Sequence, residues 1–126
     1  MKRLIHYIPT LVVASGIAYV SLIREVGFSV SLFAGWDKVV HFLMYCSLAV
    51  TMLCDVSRDK RISKKTYTVI CLFCVVYGGM IEILQERFFY PRTGDWWDWI
   101  ADCLGVVFGI SVTILLWKVR KKDGIC

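Results

Sequence analysis

The sequence contains no internal repeat and no low-complexity segment, and its apolar stretches lack the short period-two alternation of barrel strands. A membrane barrel is thereby excluded, which leaves helices as the spanning structure. Asp37, His41, Glu82, Asp98 and Asp102 could ligate a divalent metal, but no HExxH or comparable spacing singles them out, so no metal site is expected. Ser47 and Ser111 stand in no nucleophile-elbow motif, and a helix-packing role suits them better than catalysis. Cys71 and Cys74 form a CxxC, but it has no second ligand pair and lies in an apolar run. Five of the six cysteines fall within or at the ends of apolar stretches, which favours small buried hydrophobes over a disulfide framework.

What the sequence does have is apolar length. Hydrophobic residues make up 58% of 126 positions, above the roughly 45–50% of a soluble domain. They gather into four blocks, at about 4–23, 38–54, 67–85 and 98–119. At about 1.5 Å of rise per residue each block reaches, or nearly reaches, across about 30 Å of hydrocarbon. The expected fold is all-α: one domain over 1–126, a polytopic membrane protein with a bundle of four transmembrane helices. The first block follows a charged start and resembles a signal peptide, but its apolar run exceeds a signal core, so it is read as a retained helix with Pro9 near its start.

Eleven of the 15 Lys and Arg residues lie at the N-terminus, in the connector 55–66 or in the C-terminal tail. By the positive-inside rule both termini are then cytoplasmic. The net charge of +5 reflects this topology, and nothing in it supports a nucleic-acid partner.

With this topology, helix two enters from the outer side near Asp37, helix three leaves near Gln85 and helix four re-enters near Asp98. His41, Glu82 and Asp102 each lie about one turn inside, forming a layer about 5 Å below the outer rim. Asp37, Lys38, Gln85, Arg92, Asp95 and Asp98 sit above it, and Tyr45 continues the face of Asp37 and His41. Ionisable residues in lipid are rare and mark function by default. His41 beside Glu82 or Asp102 has the makings of an acid/base pair, and Lys38 and Arg92 could hold an anionic headgroup. A mutual salt-bridge network, such as Lys38 or Arg92 with Asp98 and His41 with Glu82, is the structural alternative. Gly105 and Gly109 form a GxxxG, expected to pack helices either within the chain or between copies in a homo-oligomer.

Three segments, DKVVHFLMY at 37–45, YGGMIEILQ at 77–85 and PRTGDWWDWIADCLGVVFG at 91–109, together resemble the VanZ-like family of small bacterial membrane proteins. The resemblance assigns the family's polar positions to Asp37, Lys38, His41, Tyr45, Glu82, Gln85, Arg92, Asp98 and Gly105. Asp102 stands where the pattern more commonly has asparagine. The family's namesake is associated with teicoplanin resistance. The resemblance therefore implies a multi-pass protein of the bacterial cytoplasmic membrane, linked to the cell envelope, with its polar site facing outward. In that reading His41, Glu82 and Asp102 are catalytic candidates, and Asp37, Lys38, Tyr45, Gln85, Arg92 and Asp98 contact the substrate or its anionic group. The expected partners are the lipid bilayer and a lipid-linked envelope precursor or acylated glycopeptide. The alternative is a non-enzymatic binding or interaction protein whose polar layer is structural. No cofactor follows from either.

Overall fold

The computed structural model describes residues 5–23, 35–59, 62–88 and 94–122. Four helices account for most of these: α1 (Ile8–Ile23), α2 (Trp36–Asp59), α3 (Lys64–Phe88) and α4 (Trp96–Lys122). No strand occurs among the described residues. Three of the helices, α2 to α4, are long and apolar enough to cross a membrane. With 16 residues, α1 is shorter than the expected block, and at about 24 Å it falls short of a full hydrocarbon thickness.

The other three helices overrun their apolar blocks, because local capping extends them into polar sequence. The Ser63 hydroxyl accepts the Thr66 N–H at 3.2 Å and so caps α3. At the start of α4, the Asp95 carboxylate accepts the Trp97 N–H at 2.9 Å and the Asp95 carbonyl accepts the Asp98 N–H at 2.9 Å. This cap, together with the Lys38 ammonium, holds the Asp95 carboxyl below the usual aspartate range. Before α2, Gly35 adopts φ +92° and its carbonyl accepts the Lys38 N–H. That left-handed turn favours glycine. Pro9 lies in the first turn of α1, where a missing N–H leaves no helical bond unmade, so it needs no kink.

Pairing fixes the directions. His41 with Asp102, Phe42 with Gly105 and Cys46 with Gly109 advance together, so α2 and α4 run parallel. A Cβ on Gly105 would collide with the Phe42 carbonyl oxygen, and one on Gly109 would stand 2.8 Å from the Cys46 carbonyl oxygen. The GxxxG stripe is therefore consumed by close packing inside the chain, the first of its two expected uses. The helix α3 runs antiparallel to α4: Glu82, late in α3, meets the Asp95 N–H just before α4, while Gly78, one turn earlier in α3, faces Asp102. It is joined to α1 by Tyr77 Oη, which donates to the Ala14 carbonyl at 2.7 Å.

Between these helices lies a core of Ile17, Tyr45, Leu48, Ala49, Leu53, Ile70, Cys74 and Val106. Five described cysteines are free, and only Cys74 is buried. Large apolar side chains such as Leu43, Phe73, Val76, Leu104, Phe108 and Leu116 face outward. In water so much exposed apolar surface would drive association, whereas in lipid it is the expected exterior. The chain is a helical membrane protein.

Candidate functional site

The helix directions bring the start of α2, the end of α3 and the start of α4 to one end of the bundle. There the sequence's apolar periodicity is broken by buried polar groups: His41, Glu82, Gln85, Asp98 and Asp102. An isolated charge at such depth is costly, so each must find a partner. His41, only 2% exposed, is the centre. Its Nδ1 lies 3.0 Å from Asp102 Oδ1, and its Nε2 lies 3.9 Å from Asp98 Oδ2. Both carboxylates come from α4, four residues apart, so a single helical turn brackets the imidazole.

Lys38, one turn before His41 on α2, bridges the rim. Its Nζ donates to Asp98 Oδ1 at 3.2 Å and to Asp95 Oδ2 at 3.1 Å. A continuous chain of polar contacts runs from half-exposed Lys38 through Asp98 and His41 to Asp102, which is 1% exposed. His41 can take up or release a proton beside Asp102, with which it shares a hydrogen bond, while Asp98 stands 3.9 Å from its other ring nitrogen.

Glu82 reaches the same place from α3. Its Oε2 accepts the Asp95 N–H at 3.0 Å, while its Oε1 is buried and has no hydrogen-bond partner. The neighbouring glycines make room for this approach. A Cβ on Gly94 would stand 2.9 Å from the Glu82 carbonyl oxygen, and one on Gly78 would stand 3.0 Å from Asp102 Oδ2. Tyr45 lies against Gly78 beside Asp102, its hydroxyl buried and unpartnered.

The expected site residues are thus mostly brought together. His41 pairs with Asp102, not with Glu82 as the network alternative had it, because Glu82 is committed to the α4 cap. Gln85 does not face the cluster through its amide: Nε2 donates to the Ser21 carbonyl at 2.8 Å, tying α3 to α1. Asp37 is half-buried, within reach of His41 and Asp98. Arg92 lies outside the described residues.

Sequence reasoning missed one buried carboxylate. Asp55, 1% exposed, had been assigned to the connector, but α2 runs on to Asp59 and carries it into the opposite end of the bundle. There Oδ2 accepts the Thr10 N–H at 3.1 Å and the Thr10 hydroxyl at 2.7 Å. The signal was present in the spacing, since Tyr45, Leu48, Met52 and Asp55 continue one helical face.

The family model for VanZ/LLP1 matches residues 3–118, nearly the whole chain, including every residue of the cluster. The chain belongs to the VanZ/LLP1 family. Among curated proteins it is similar to an uncharacterised protein of the fission yeast Schizosaccharomyces pombe, 32% identical over 88 residues, covering 68% of this chain and 51% of the yeast protein. The chain therefore spans about half the length of that relative. Since a similar sequence occurs in a eukaryote, similarity alone carries no assignment of this chain to bacteria. No solved structure matches the chain significantly.

Proposed function

We propose that this VanZ-like protein acts at the outer leaflet of a bacterial cytoplasmic membrane, where the cluster binds, and chemically acts on, the headgroup of a lipid-linked or acylated amphiphile. The observation that carries the reading is the placement of His41, buried and held between Asp98 and Asp102, one turn inside the rim marked by Lys38. A register clasp needs only one pair between each two helices. Here the cap and first two turns of α4 send three carboxylates, Asp95, Asp98 and Asp102, to Lys38 and His41 on α2. Lys38, with 43% of its side chain exposed, is the group an anionic headgroup meets first, and it is shared between two carboxylates that it can leave. His41 is the acid/base group, Asp102 and Glu82 its carboxylate partners, and Arg92 and Asp37 further contacts at the rim. Both termini lie on the cytoplasmic side in this reading, which the distribution of basic residues supports.

The association of the family's namesake supplies the test. In a teicoplanin-sensitive bacterium, expression of the wild-type chain is expected to raise tolerance, and Glu82→Gln at the same membrane level is expected to remove it. Equal protection by the variant contradicts a chemical role for the cluster. If the loss merely follows a fall in folded protein, the cluster is a structural network instead.

A further inference from the structure

Three carboxylates and one imidazole lie within the described cluster's interior, and the one ammonium among them, Lys38, is already divided between Asp95 and Asp98. Among the described residues, Glu82 and Asp102 are therefore left with no cation other than His41, although they are 4% and 1% exposed. One donor atom from each of His41, Glu82 and Asp102 lies within 4.8 Å of the others, and all three residues are buried. The independent sign that something is bound is Glu82 Oε1, which is enclosed on all sides and accepts no hydrogen bond. An unmade bond on a buried carboxylate oxygen is expensive, and a cation satisfies it.

We infer that His41, Glu82 and Asp102 form a binding site for one divalent transition cation of the zinc class. The donor set is one imidazole nitrogen and two carboxylate oxygens. That set suits zinc or manganese, whereas magnesium favours all-oxygen ligation with several retained waters. Binding replaces the proton shared between His41 Nδ1 and Asp102 Oδ1. Their separation needs to open only from 3.0 Å to about 3.4 Å, the spacing of tetrahedral donors at about 2.1 Å from a metal. Three protein ligands leave a fourth position for water or a substrate oxygen.

The outer ring fits as well. A metal-bound histidine characteristically turns its other ring nitrogen to a carboxylate, which fixes the ring and raises its basicity. Asp98 Oδ2 stands at His41 Nε2, 3.9 Å away, and Asp98 is itself held by Lys38. Glu82 Oε2 is positioned by the Asp95 N–H, which leaves Oε1 as the inward donor. The expectation of no metal rested on the absence of a local ligand motif, and here the ligands come from three helices.

The inference rests on the same cluster as the functional proposal but has its own readout. The full chain in lipid nanodiscs, stripped by chelator, is dialysed against Zn²⁺, and separately against Co²⁺ as a spectroscopic probe. Wild type is expected to retain about one equivalent and to shift its thermal midpoint upward. Asp55→Asn, at the other end of the bundle, retains the metal. Glu82→Gln weakens binding by more than about a hundredfold, and His41→Ala removes the nitrogen signature from the Co²⁺ spectrum. Folded wild type that holds no Zn²⁺ or Co²⁺ overturns the inference whatever the variants do, even if teicoplanin protection persists. Undiminished binding by a folded Glu82→Gln overturns this donor set, whereas Asp98→Asn, which removes only the outer partner of His41, is expected to weaken binding by about 10–100-fold. Metal bound without any protection leaves the site standing and removes the functional proposal.

Discussion

The two ends of the bundle each bury carboxylates, and they do so in opposite ways. At one end Asp55 meets the start of α1 and accepts two hydrogen bonds from Thr10. The free N–H groups and positive end of the helix dipole stabilise this carboxylate through Oδ2, whereas its Oδ1, like Glu82 Oε1, is buried with no hydrogen-bond partner. At the other end Glu82, Asp98 and Asp102 converge on one histidine, with Asp95 above them and Lys38 as the bridging ammonium. That end holds more negative charge than its packing requires. The lesson is that burial alone does not mark a site. Excess does: charge left over after the helices have been joined.

The comparison can be broken first through the packing that both ends share. A larger side chain at Gly105 must displace the Phe42 backbone, since a carbonyl cannot swing aside as a flexible side chain can. Gly105→Leu is expected to abolish the folded protein, read as loss of the monodisperse detergent-solubilised peak. Gly109→Ala, with a milder 2.8 Å contact, should cost about 1–3 kcal/mol. The second prediction concerns the histidine. His41→Gln keeps a hydrogen-bonding group beside Asp102 but cannot take up and release a proton, so protection per folded molecule should disappear while the chain remains in the membrane.

Asp55→Ala sharpens the contrast from the other side. It strands the Thr10 N–H and hydroxyl, and should cost about 1–3 kcal/mol of stability, read by thermal unfolding in nanodiscs. Protection per folded molecule should be unchanged. The smallest effect belongs to Asp95, the exposed cap. Its carboxyl titrates below the usual range in the folded protein, so its contribution is fully present above the unfolded value of about 3.9 and fades as pH falls through the lower folded value. Asp95→Asn should therefore lower stability slightly at neutral pH and flatten its further loss on acidification below about pH 4, where the two proteins converge.

The composition of the blocks was enough to read the helices and their membrane setting, because an uninterrupted apolar run of such length has few other uses. The convergence of His41, Glu82 and Asp102 was legible too, since helix ends place residues at a common depth before any contact is known. Partner choice was not. Whether His41 faces Glu82 or Asp102 depends on rotation about the helix axes, which is set by Gly105 and Gly109 against α2. Gln85 reads as part of the cluster in sequence, yet its amide turns to Ser21 on α1. Asp55 was misplaced because a run of charged residues after Cys54 resembles a loop, while a helix can carry polar residues beyond the hydrocarbon once Arg58 and the last carbonyls meet water.

The most direct test sets the two ends against each other. Teicoplanin tolerance of a sensitive bacterium is measured for the wild-type chain, Glu82→Gln and Asp55→Asn, with each value divided by the amount of folded protein in the membrane. The account predicts that Glu82→Gln falls to the level of the empty vector while Asp55→Asn matches wild type. Equal protection per folded molecule in all three would contradict the claim that the His41 cluster, and not the bundle as a whole, carries the function.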